Sequence, residues 1–101
     1  MNESRMQAKL LDYLRERGMV GYKVESKSST GFPDLFIAWA GHIELWEAKH
    51  PDKTGRLRPA QKRRIKELRA AGVTVRVIDD YEKGKAIIDV WGSDPTATGE
   101  H

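Results

Sequence analysis

Gly31-Phe32-Pro33-Asp34-Leu35-Phe36-Ile37-Ala38-Trp39-Ala40-Gly41-His42-Ile43-Glu44-Leu45-Trp46-Glu47-Ala48-Lys49 is the stretch that decides the fold. Two β-prone runs, Asp34 to Trp39 and His42 to Lys49, flank Ala40-Gly41, the arrangement of a tight hairpin. If Trp39 pairs with His42 across the turn, Phe36 faces Leu45, Ala38 faces Ile43, and Asp34 lies opposite Glu47. Side chains on a strand alternate with period two, so Lys49 shares the face of Glu47. A four-residue loop keeps this pairing, whereas a three-residue loop would send the two acids to opposite faces. The matched apolar pairs support the first register.

On the N-terminal side, Glu3 to Arg17 places Met6, Leu10, Leu11 and Leu14 at helical spacing, and Gly18 is a natural stop. Gly21 to Glu25 alternates as a half-buried strand, and Ser26 to Gly31 reads as a polar loop. On the C-terminal side, His50 to Arg58 reads as a loop and Pro59 suits the first turn of a helix, which keeps its spacing through Ile65, Leu68 and Ala71 to Gly72. Val73 to Ile78 is the clearest strand, and Tyr81 to Trp91 reads as a third helix weakened by Gly84. The order is helix, three strands, helix, strand, helix, without an internal repeat. A hairpin followed by a helix-linked strand implies an α/β fold: a mixed central sheet flanked by helices.

The 101 residues suit one compact domain, expected over residues 1–92, with 93–101 as a loose tail. No stretch approaches the roughly 18 apolar residues of a membrane span, and the N-terminus lacks the order of a secretion signal, so a soluble, cytoplasmic protein is expected. Without cysteine, any bound metal must rely on oxygen or imidazole ligands. The net charge of +3 is too small to identify a partner by itself.

Carboxylates opposed across a hairpin stand about 5 Å apart and repel unless a cation lies between them. Oxygen ligands in that arrangement, Asp34 and Glu47 with the Ala48 carbonyl and waters, favour a hard cation such as Mg²⁺ or Mn²⁺. Lys49 is placed to hold an attacking water or the charge that builds on a phosphoryl oxygen. Alone, Glu-x-Lys on a strand would read as an ordinary surface ion pair.

Three segments extend the argument. Gly31-Phe32-Pro33-Asp34-Leu35, Glu47-Ala48-Lys49 and Gly55-Arg56-Leu57-Arg58-Pro59-Ala60-Gln61 together resemble the virus-type replication-repair nuclease (VRR-NUC) domain of the PD-(D/E)XK superfamily, from Glu3 to about Ile88. The resemblance implies a restriction-endonuclease-like αβββαβ core in which Asp34 and Glu47 bind the metal and Lys49 orients or activates the water. It further implies that Glu3 approaches the metal through a water and that Gln61 supports the site or the phosphate. Arg58 stands where the family often has a capping serine, so the cap is poor. The activity implied is a Mg²⁺- or Mn²⁺-dependent DNA endonuclease, structure-specific in the manner of Holliday-junction resolvases, acting as a homodimer on branched DNA in replication, repair or recombination. The alternatives are a non-catalytic DNA-binding module and the nuclease subunit of a larger repair or restriction assembly.

The cations Lys53, Arg56, Arg58, Lys62, Arg63, Arg64, Lys66 and Arg69 follow directly on Lys49, with only Asp52 and Glu67 among them. Such a run beside a phosphodiester-cleaving site suggests contacts to DNA phosphates, with Lys27 and Lys23 as further candidates from upstream. Trp39, Trp46 and Trp91 are assigned to the core. His42 and His50 are assigned no role. A dimer surface is expected either on a sheet face the helices leave uncovered or on the exposed side of the third helix, with Ile87, Ile88 and Trp91.

Overall fold

The computed structural model describes residues 1–25, 31–49 and 57–93. The elements run α1 (Glu3–Arg15), β1 (Val20–Lys23), β2 (Leu35–Trp39), β3 (His42–Ala48), α2 (Pro59–Ala70), β4 (Thr74–Ile78) and α3 (Tyr81–Ser93). The sheet order is β1-β2-β3-β4, antiparallel across the first three strands and parallel between β3 and β4. This is the mixed sheet implied by a hairpin followed by a helix-linked strand. No helix among the described residues is long and apolar enough to cross a membrane.

The hairpin closes in two residues. Ala40 and Gly41 take φ of 48° and 80°, the two positive values that let a tight turn follow the twist of its strands. Trp39 therefore pairs with His42, Ala38 with Ile43 and Phe36 with Leu45, the register expected from the sequence.

Leu35, Ile37 and Trp46 point to one face, where α1 and α3 cover them with Leu10, Leu14, Ile88 and Trp91. Burying Trp46 completely removes on the order of 200 Å² from water, which contributes about 5 kcal/mol. The tryptophan core assignment holds, and the Trp39 ring stacks on that of Trp91 at 3.5 Å. Leu45 and Val75 point to the other face, where α2 packs Ile65 and Leu68 against them and against Phe36.

Two expectations are corrected here. Ile88 and Trp91 are 0% and 8% exposed, so these two residues of α3 are spent on the core and do not form the exposed side of the helix. Gly84 also does more than weaken its helix. A Cβ there would lie 2.7 Å from Leu10 Cδ2, so its missing side chain lets α3 close against α1 and the sheet.

Despite the absence of a sequence repeat, α1 and α2 end by the same device. Met19 N–H donates to Leu14 O at 3.1 Å, and Val73 N–H to Leu68 O at 3.0 Å, closing both helices beside a glycine. Arg15 and Arg69, each next after that leucine, donate to the Gly21 and Val75 carbonyls, at 2.7 Å for the shorter bond in both cases. Since β1 and β4 are the edge strands, each edge has a carbonyl occupied by an arginine, which discourages pairing with another chain.

Candidate active site

Asp34 stands one position beyond the last paired residues of the hairpin, Leu35 and Trp46, and the register places it opposite Glu47. Ala48 N–H donates to Asp34 Oδ2 at 3.1 Å and so turns this carboxylate toward the end of β3. Glu47 is 2% exposed and Lys49 6%, so the second acid and the lysine are not part of an exposed ion pair. Lys49 Nζ lies 3.7 Å from Glu47 Oε2, an electrostatic contact longer than a hydrogen bond. Its own N–H donates to Ile78 O at 2.8 Å, continuing the β3–β4 alignment into the site.

Gln61 joins the second helix to this cluster. Its Nε2 donates to Glu47 Oε2 at 3.2 Å, while its Oε1 accepts from Arg58 N–H at 2.8 Å at the start of α2. Arg58 itself supplies no side-chain cap, because a guanidinium has no acceptor. What brings α2 this close is Gly31: a Cβ there would lie 2.6 Å from the Ala60 carbonyl carbon and oxygen and 2.8 Å from Gln61 N. With φ of +86°, Gly31 also has a backbone conformation that side chains disfavour.

Burial first, and then the charge of Asp34 and a hydrogen bond with it, push the Glu47 carboxyl up to about 8. Lys49 acts in the opposite direction, and Glu3 adds to the rise. Glu3, half-buried at the start of α1, is therefore within electrostatic reach of Glu47.

A divalent metal fits these residues. Glu47 Oε1 is buried and has no hydrogen-bond partner among the described residues, and the two acids repel. No cluster of three or more His, Cys, Asp or Glu side chains close enough to hold a metal occurs among the described residues. Two carboxylates, a backbone carbonyl and waters are nonetheless a sufficient set for Mg²⁺, which keeps much of its hydration shell.

Of the other residues singled out in the sequence, Arg58, Lys62 and Arg63 are exposed at the start of α2, on the side of the sheet to which Glu47 points. Lys27, Lys53 and Arg56 lie outside the described residues, as does His50.

Glu44 was not anticipated. It points to the Trp46 side, is 2% exposed, and accepts hydrogen bonds from Trp46 Nε1 at 2.9 Å and Arg76 Nε at 2.6 Å, with His42 Nε2 at 3.0 Å. Burial alone would raise its pKa, but the bonds from Arg76, Trp46 and His42 outweigh burial and hold it below the usual carboxylate range. The signal in the sequence is an acid in an alternation slot that otherwise reads as core.

A mixed four-stranded sheet with helices on both faces, and an acid pair and a lysine at the strand ends, defines a restriction-endonuclease-like domain. Solved structures sharpen this. One described as a VRR_NUC domain superposes with a TM-score of 0.75 at 25% identity, over 86% of this chain and 94% of the other. A second, a VRR_NUC domain protein, gives 0.70 at 20% identity, over 88% and 86%. Neither a protein-family model nor a curated protein sequence matches the chain. The chain has the fold of a VRR-NUC domain.

Proposed function

We propose that this chain is a metal-dependent endodeoxyribonuclease that hydrolyses phosphodiester bonds. The observation that carries the reading is Glu47: a buried carboxyl with an unpartnered oxygen, held against Asp34 and beside Lys49. A fold has no stabilising use for two repelling acids in that position, whereas a cation site does.

Asp34 and Glu47, with the Ala48 carbonyl, would hold Mg²⁺ or Mn²⁺. The bound ion would supply Lewis acidity toward the scissile phosphate and lower the pKa of a nucleophilic water. Lys49 would orient the nucleophilic water and stabilise charge on the phosphoryl oxygen. Gln61 fixes the Glu47 carboxylate from α2, and Glu3 adds a negative charge that water can relay. Arg58, Lys62 and Arg63, with Lys27, Lys53 and Arg56, would contact DNA phosphates and so hold any sequence alike.

The same reading includes a homodimer that prefers branched DNA, since two cuts related by a two-fold axis need two sites. Its support in this chain is the open half of the α2-side sheet face. Val20, Ala38 and Ile43 form one cross-strand row there and Tyr22 and Phe36 begin the next, with Val20, Tyr22 and Ile43 exposed by 46%, 61% and 52%.

The test is cleavage of linear, flapped, forked and four-way DNA with Mg²⁺ or Mn²⁺. Wild-type protein should cut, and Asp34→Asn, Glu47→Gln and Lys49→Ala should each remove nearly all activity while circular dichroism stays unchanged. A folded variant that cuts at the wild-type rate would remove that residue from the mechanism. Sedimentation equilibrium at micromolar protein tests the dimer, which a monomeric mass would exclude. Equal rates on four-way and linear DNA would exclude the branch preference.

A further inference from the structure

Gln7 is 7% exposed, which is unusual for a glutamine in an amphipathic helix. Its Oε1 is buried without a hydrogen-bond partner among the described residues. Among the described residues, the other buried carboxyl or amide oxygen in that condition is Glu47 Oε1. A buried acceptor that lost its water and gained no donor is destabilising, so each of these two oxygens invites a donor.

The position of Gln7 follows from its neighbours on α1. Glu3, one turn earlier on the same side of the helix, is close enough to Glu47 to raise its pKa. Leu10, nearly one turn later, meets Trp46 and Ile78 around Gly84. Gln7 thus lies on α1 between Glu3, which is within electrostatic reach of Glu47, and Leu10, which packs with Trp46, the residue just before Glu47 in β3.

Both orphaned oxygens can accept hydrogen bonds, and Glu3, Asp34 and Glu47 together make the site acidic. The partner that fits is therefore cationic and rich in donors. A hydrated divalent cation meets both requirements, since its waters donate while the ion takes the carboxylates. A neutral amide does this without adding a further negative charge to Glu3, Asp34 and Glu47.

We propose that Gln7 is a positioning residue of the metal site, its Oε1 accepting a hydrogen bond from a water of hydration on the cation held by Asp34 and Glu47. This rests on the nuclease reading. The same oxygen costs the metal-free protein stability and gains its partner only when the site is loaded. Gln7 therefore separates two quantities that a packing residue would move together.

The experiment measures Mn²⁺ binding by calorimetry and the Tm in chelator, on the full chain without DNA, for wild type, Gln7→Leu, Gln7→Glu and Glu47→Gln. Gln7→Leu keeps the volume but removes the acceptor. It should weaken Mn²⁺ binding by about ten-fold or more and raise the metal-free Tm by roughly 4 °C or more. Gln7→Glu, which keeps an oxygen at that place, should recover most of the affinity.

Wild-type affinity in Gln7→Leu would overturn the proposal while leaving the nuclease reading intact. A fall in affinity together with a fall in metal-free Tm would also overturn it, showing that the amide only packs; Gln7→Met repeats the comparison if leucine does not fold. Absence of Mn²⁺ uptake by the wild type would overturn both the proposal and the nuclease reading.

Discussion

Glu47→Gln removes one ionisation from the centre of the site and changes little else in shape. In the metal-free protein the Glu47 carboxyl is raised from 4.5 to about 8, first by burial and then by Asp34. A group whose folded pKa lies above its unfolded one contributes stability that is fully present below the unfolded value and is lost as pH rises through the folded value. Each unit corresponds to about 1.4 kcal/mol, so metal-free wild type should lose roughly 3 kcal/mol between pH 4.5 and 7, and about 5 kcal/mol once pH exceeds 8. Glutamine does not titrate. The stability of Glu47→Gln relative to wild type should therefore start near zero at pH 4.5 and grow to those values. Urea unfolding in chelator across pH 4.5 to 8.5 measures the gap. In parallel, calorimetry at pH 7 in buffers of different ionisation heat should show about one proton released as metal binds, because the ion displaces the proton on Glu47. A gap that is constant with pH, or metal binding without proton release, would refute the reasoning.

Three further outcomes are expected. Gly31→Ala should cost about 2 kcal/mol or more through its positive φ and the contact with Ala60, and should lower cleavage further than the stability loss explains, because Gln61 is pushed from Glu47; matched unfolding curves and rates at saturating metal decide this. Arg76→Ala leaves Glu44 buried without its cation and should cost about 2 kcal/mol at pH 7, discounted because Arg76 is partly exposed; since the folded Glu44 pKa is lowered, the contribution is present above the ordinary glutamate value, and the cost should shrink as unfolding is measured at falling pH. Reversing the charges of Arg58, Lys62 and Arg63 together should weaken DNA binding for all sequences and flatten its salt dependence, and an unchanged salt slope would place the DNA elsewhere.

The order of elements, the hairpin and its register were legible in the sequence because each is written in local terms. Ala40-Gly41 between two β-prone runs specifies a two-residue turn, and the turn brings Asp34 and Glu47 opposite one another. Helix periodicity, Gly18 and Gly72 marked the helices closely, although α1 ends at Arg15 and β1 begins at Val20, each a short step from its expected bound. What the helices cover, by contrast, depends on how they dock. Whether Ile88 and Trp91 are surface or core is set by Gly84, whose missing Cβ admits Leu10, a contact between residues far apart in the chain. The burial of Glu44 depends on Arg76, a partner on another strand that no local pattern indicates. Gln61 reaches Glu47 only because Gly31 lets the start of α2 approach, and Gln7 becomes a candidate only through its burial. Periodicity and turn chemistry act over a few residues and survive in the linear sequence. Desolvation, and with it the rise of Glu47 to about 8, exists only once segments distant in sequence have closed around the group.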